Sequence, residues 1–220
     1  MAAKVYLDTN VFKFAATALP RTRRVFTGVN WGGHRQIAEV HQPIVVNPNE
    51  KIAAGSELKA EVELLPKVAH LAHEGVIVLA ISVETQVELS GIPGLDSMTE
   101  DLYNAPRITV EPPIRYGRVL FGGTEDFREA QFSFIESLGD SRFLELRRAC
   151  GAQQGKKVNR NQLLDAFHLW CAEHNACEYF LSLDFKLARV IDAGKIKPTC
   201  RIVRPSELLS LLAQGHTDSI

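Results

Sequence analysis

Four carboxylates stand out in this chain by where they fall. Lys4-Val5-Tyr6-Leu7 runs into Asp8, and Tyr179-Phe180-Leu181-Ser182-Leu183 runs into Asp184, so each acid closes an apolar, β-prone stretch. If both stretches are strands of one parallel sheet, the two acids share an edge, and the carboxyl edge is where open α/β sheets bind ligands. Glu84 and Glu88 follow the apolar run Val76–Ile81 and, four residues apart, occupy one helix face, where they either form a wet surface or aim one carboxylate into a cation site. Asp165 lies on the clearest helical pattern, one turn before His168. Asp8, Glu88, Asp165 and Asp184 brought into one crevice repel strongly at low effective dielectric. These segments carry no matching set of Lys or Arg, so a divalent cation is the expected counter-charge. An all-oxygen donor set suits Mg²⁺ or Mn²⁺ better than Zn²⁺. Taken singly, the same acids also fit as strand-end caps and solvated helix residues, and His168 fits as a core or helix-face histidine.

The elements that must position these acids alternate along the chain. Val11–Leu19 reads as a short helix stopped by Pro20. Residues 27–50, with Trp31-Gly32-Gly33-His34 and two prolines, show no clean period and read as a loop insertion. From Ser56, apolar residues at Leu58, Val62, Leu65, Ala69 and Leu71 follow helical spacing, ended at Gly75. Val76–Ile81 reads as a buried parallel strand, and Ser82 as the cap of the helix that carries Glu88. Residues 95–155 read as an extended helical region, with helices after Thr124 and from Ser141 to Cys150 and a short strand at Ile108–Val110. Asn161–Asn175 is a helix with Leu163, Phe167, Trp170 and His174 on one stripe, and Arg201–Val203 a last strand before a helix capped by Ser206. Strands alternating with helices predict an α/β/α sandwich with a central, largely parallel sheet, in one domain.

Composition narrows the function classes. A 220-residue chain with 45% hydrophobic residues can bury a core, and a formal net charge of -1 excludes a protein that coats nucleic acid through overall basicity. Any polyanion is held locally, and Arg21, Arg23, Arg24, Lys156, Lys157 and Arg160 are the candidates. Trp31 and Phe121, each beside a glycine pair, are either loop anchors or platforms on which a base stacks. Cys150, Cys171, Cys177 and Cys200 lack paired metal-ligand spacing and read as reduced, buried thiols. With no apolar run of membrane-spanning length and no leader before Asp8, a soluble, cytoplasmic protein is expected.

Four blocks of this sequence resemble those of PIN-domain proteins, in the order that family shows: LDTN at Leu7–Asn10, ISVETQVEL at Ile81–Leu89, LLDAFHLWCAEHNA at Leu163–Ala176 and LSLDFKL at Leu181–Leu187. The closing IVRPSEL at Ile202–Leu208 is also similar to the family's last strand and helix. The resemblance covers about half of the chain and implies a PIN-like fold. It also implies metal-binding, catalytic acids at Asp8, Glu88, Asp165 and Asp184, with Glu88 preferred over Glu84 because it lies six residues after the strand-ending Ser82. Asn10 and Ser182 match the small polar residues that orient those acids. The implied activity is Mg²⁺- or Mn²⁺-dependent endoribonuclease cleavage of RNA, toxin-like or in RNA processing, with an antitoxin-like or processing partner and a homodimer. His168 would touch substrate or act as an acid. The segments around residues 20–70 and 95–155 are longer than in the compact toxin ribonucleases of that family.

Three other functions remain open at this level. A non-catalytic RNA-binding or scaffolding domain would keep the fold without the chemistry, but such a site is expected to lose acids and all four are present. A structure-specific DNA nuclease would carry more acids and a basic arch. A phosphate-accepting response domain would pair a second Asp with Asp8, and Asp8 has no acidic neighbour.

Overall fold

The computed structural model describes residues 2–16, 19–90, 101–116, 124–152 and 158–217. Its centre is a five-stranded sheet whose paired strands all run parallel, formed by β1 (Ala3–Leu7), β4 (Ile77–Ser82), β5 (Arg107–Val110), β6 (Tyr179–Leu181) and β7 (Arg201–Val203), in the order β5-β4-β1-β6-β7. β2 (Leu19–Trp31) and β3 (His34–Val46) form a separate two-stranded sheet. The helices are α1 (Thr9–Ala15), α2 (Glu57–Val62), α3 (Leu65–His73), α4 (Val83–Ser90), α5 (Asp101–Asn104), α6 (Thr124–Glu136), α7 (Ser141–Ala149), α8 (Arg160–His174), α9 (Phe185–Ala193) and α10 (Pro205–Thr217). None of the described helices is long and apolar enough to cross a membrane.

Alternation along the strands sends side chains into two cores. Val5, Leu7, Leu79, Ile81, Leu181 and Val203 join α1, α3, α5 and α10 on one face of the sheet. Tyr6, Ala80 and Phe180 join α7, α8 and α9 on the other. The result is the expected α/β/α sandwich. Each fully buried Leu, Ile or Phe contributes about 1.5–3 kcal/mol by leaving water.

The chain runs outward from β1 through β4 to β5 and returns to β1's other side for β6 and β7. β1 and β6 therefore flank the point where the strand order reverses, and a crevice opens at their carboxyl ends. Asp8 N donates to Leu181 O at 3.0 Å and Ser182 N to Val203 O at 3.1 Å, which places the residues after β1 and β6 at one edge.

Several local expectations change. Residues 27–50 are not a loop: Leu19–Trp31 pairs antiparallel with His34–Val46 along 13 residues each, closed by Gly32 and Gly33 at φ 58° and 81°. Two consecutive left-handed residues make the tight turn that matches strand twist, and glycine adopts it without penalty. Pro20, expected to stop the first helix, lies inside β2 and that helix ends at Ala15. Pro20 and Pro43 fall in alternate cross-strand pairs, 20↔45 and 22↔43, whose N–H groups point away from the ladder. The helix expected from Ser56 is two helices, because Pro66 in α3 has no N–H and its ring clashes with the carbonyl of Val62, where α2 ends. Ser206 is not a cap; its N–H and Oγ donate to Glu61 at 2.9 and 2.6 Å, tying α10 to α2.

Candidate active site

Asp8 begins the site. It occupies the capping position of α1, yet its side chain caps nothing there. Instead Oδ2 accepts from Asn10 Nδ2 at 2.6 Å and from Ser182 Oγ at 2.7 Å. Asn10 Nδ2 also donates to Ser182 Oγ at 3.1 Å, and its Oδ1 accepts from Leu183 N at 3.0 Å, so the loops after β1 and β6 lock together around one carboxylate. Asn10 and Ser182 thus hold and orient Asp8, as the resemblance implies. Thr9 Oγ1, buried next to Asp8, has no hydrogen-bond partner among the described residues.

Asp184 is divided between two jobs. Its Oδ1 caps α9, accepting from Lys186 N at 2.8 Å and Leu187 N at 3.2 Å. Its Oδ2 takes no hydrogen bond from the described residues. The strand-end-cap reading is therefore half realised here, at one oxygen of four acids.

On α4 the two glutamates separate. Glu84 is fully buried, and its carboxylate accepts from Tyr116 Oη at 2.5 Å and Gln131 Nε2 at 2.7 Å, in the core beneath α6. Glu88 turns to the site, where Oε1 meets His168 Nε2 at 2.7 Å. That imidazole is 1% exposed, and its Nδ1 lies 2.9 Å from Tyr6 Oη and 3.5 Å from Thr85 Oγ1. His168 does not face solvent as a substrate contact would; it is a strut between the sheet and Glu88. Burial alone would push the His168 imidazole down, but the Glu88 carboxylate, with Asp8 and Asp165, overrides it and raises the pKa above the ordinary value.

Asp165, one turn before His168 on α8, binds the four acids into one field. Burial raises its carboxyl well above the usual range, and the charges of Asp8, Asp184 and Glu88 push it further, opposed by His168. Asp8 is likewise raised, first by burial and also by Glu88, against the pull of His168 and Ser182. Acids from four separate segments repel one another across the crevice beyond β1 and β6. Among the described residues, no three His, Cys, Asp or Glu side chains are close enough as they stand to enclose an ion. The donor chemistry nonetheless fits a hard divalent cation: oxygen ligands, no Lys or Arg among the main influences on Asp165, and second carboxylate oxygens on Glu88 and Asp184 that take no hydrogen bond from the described residues.

The expected substrate-binding cations are described in part. Arg23 and Arg24 are exposed on β2, where Arg21 also falls, its side chain and that of Trp31 lying outside the description. Arg160 opens α8 but pairs with Glu129 and lies 4.6 Å over the Phe132 ring, joining α8 to α6. Lys156, Lys157 and Phe121 lie outside the described residues. Tyr6 and Thr85, which hold His168, went unnoticed in the sequence because their partner is 162 and 83 residues away. All four cysteines are buried and unpaired, and burial pushes the Cys177 and Cys200 thiols up to about 11 and about 12. Comparison of the chain with family models, with curated proteins and with solved structures returned no match.

Proposed function

We propose that this protein is a metal-dependent endoribonuclease whose site is Asp8, Glu88, Asp165 and Asp184. The observation that carries the reading is the position of the acids: Asp8, locked by Asn10 and Ser182, and Asp184 follow the two strands at the reversal point of a parallel sheet, and Glu88, held by His168, and Asp165 lie on helices whose charges act on the same place. Mutual repulsion of buried carboxylates costs folding stability, and a cation-binding role accounts for keeping them together. The resemblance to PIN-domain blocks supports the same reading and supplies its substrate class.

Bound there, Mg²⁺ or Mn²⁺ would supply Lewis acidity for phosphodiester hydrolysis. The chain's own parts have distinct work. Asn10 and Ser182 fix the Asp8 carboxylate so that it presents one orientation to the crevice. The His168 strut, backed by Tyr6, fixes Glu88 on α4. Asp184 is anchored through its cap on α9 and offers its other oxygen. Asp165, on α8, would complete the donor set, and it or Glu88 would orient an attacking water.

Purified protein incubated with single-stranded and structured RNAs tests this. Cleavage is expected with Mn²⁺ or Mg²⁺, is abolished by EDTA, and falls by at least about a hundredfold in Asp8→Asn. Cleavage that persists in EDTA, or in Asp8→Asn, would refute the assignment.

A further inference from the structure

We propose that the β2–β3 hairpin is an arm that grips single-stranded RNA, an assignment that rests on the nuclease reading for its ligand and on the hairpin itself for the grip. Residues 19–46 hold Arg21, Arg23, Arg24 and Arg35 against one acid, Glu39, a net charge of +3 with histidines neutral. The whole chain is -1, so the remaining residues carry -4. The positive charge a polyanion needs is therefore concentrated on one element of an otherwise acidic protein.

The ribbon's register arranges that charge around an aromatic ring. Arg24, Phe26, Gly28 and Asn30 share one face of β2 and sit opposite His41, Glu39, Ile37 and Arg35 of β3. Phe26 is 69% and Ile37 79% exposed, an unusual display for large apolar side chains. Gly28 has a reason on the same face: a Cβ there would lie 2.7 Å from Arg35 Nε, so the missing side chain leaves a slot along which the Arg35 side chain lies. One guanidinium on each side of an exposed phenyl combines phosphate contacts with a stacking surface for a base. Glu39 pairs with Arg24 at 3.4 Å and His41 at 3.3 Å, but such exposed pairs are worth about 0–1 kcal/mol and yield to a phosphate.

The arm is tied to the helix that follows Asp8. α1 spans seven residues, about 10 Å of rise, from Thr9 to Ala15, and the hairpin's first strand starts at Leu19. Just after β3, Asn49 Nδ2 donates to the Phe14 and Ala16 carbonyls at 2.8 and 3.3 Å, fastening the hairpin's exit to the end of that helix. A two-stranded ribbon alone is marginal in water, and a bound strand would supply the layer it lacks. A second copy of the arm would oppose +3 with +3. Duplex RNA offers no groove that admits a ribbon and no unstacked base for Phe26.

The test is binding of a short fluorescein-labelled single-stranded RNA to full-length Asp8→Asn protein, which leaves the RNA intact, across a salt series. Adding Arg24→Ala and Arg35→Ala together is expected to weaken binding at least about tenfold and to flatten the salt slope by about 0.7 per arginine. The Lys pair at the same positions should keep the slope, and Phe26→Ala should weaken binding about tenfold without changing it. A melting temperature equal to that of the Asp8→Asn parent, read by circular dichroism without added metal, confirms that each variant is folded. Equal RNA binding by all variants overturns the arm; so does preference for duplex DNA over single-stranded RNA, or sedimentation showing an arm-dependent dimer without RNA binding. If the variants bind like the parent while unmutated protein cuts RNA, the arm fails and the nuclease stands; if they lose binding but unmutated protein never cuts, the nuclease reading fails instead.

Discussion

At the residue scale, the site is a set of charges that the fold holds in mutual opposition. Asp165 shows the consequence for stability. Its pKa is raised in the folded protein, so protonation favours folding: that contribution is fully present below the unfolded value of about 4 and is lost as pH rises through the raised folded value. Asp165→Asn in metal-free protein should therefore gain on the order of 1 kcal/mol at neutral pH, read as a rise of roughly 2–4 °C in Tm, and the gain should vanish near pH 4. His168 relieves the repulsion instead of adding to it. His168→Ala leaves Glu88 and Tyr6 without their shared partner and should cost about 3 kcal/mol in urea denaturation, whereas Tyr6→Phe keeps the stacking on Phe180 at 5.5 Å and should cost only about 1 kcal/mol. Asp8 and Asp184 could be read from the sequence because each ends an apolar strand, a local signal. The strut of Tyr6, Thr85, His168 and Glu88 could not, because its members meet only through the sheet and α8. The same limit hid the fate of Glu84, whose partners Tyr116 and Gln131 come from distant segments.

At the element scale, the helices and parallel strands were legible and the hairpin was not. A buried strand in a parallel sheet is continuously apolar, as Val76–Ile81 is, and α8 is a long helix with Leu163, Phe167 and Trp170 at helical spacing and most of its second half buried. The ribbon has neither signature: both faces meet solvent, so arginines, glutamines and histidines interrupt any alternation, and Pro20 and Pro43 argue against a ladder. The signal that was there is Gly32-Gly33, a two-residue turn pair, between segments in which Val, Ile and Thr recur. That turn makes a prediction. Gly33 lies at φ 81°, which a β-branched residue tolerates poorly, so Gly33→Val should open the hairpin and speed trypsin cleavage at Arg21, Arg23, Arg24 and Arg35. The melting transition of the sandwich, monitored by circular dichroism, should move by less than about 1 °C, because neither Gly33 nor the exposed residues of the ribbon contribute to the two cores.

At the scale of the whole molecule, strand order turns four distant acids into one locus. β1 and β6 are adjacent although Tyr6 and its strand partner Phe180 lie 174 residues apart in the chain, and the reversal of strand order at that pair opens the crevice in which Asp8 and Asp184 sit. Parallel crossovers carry α4 and α8 past the same edge, which is why Glu88 and Asp165 arrive there. The central claim, that these carboxylates are one cation site, is tested most directly by Mn²⁺ binding measured calorimetrically on the full chain and on Asp8→Asn, Glu88→Gln, Asp165→Asn, Asp184→Asn and Glu84→Gln. The expected result is saturable binding weakened about tenfold or more by each of the first four changes and left unaltered by Glu84→Gln, whose carboxylate is engaged in the core. Binding that is absent from the unmutated protein, or equally strong in all six proteins, would contradict it.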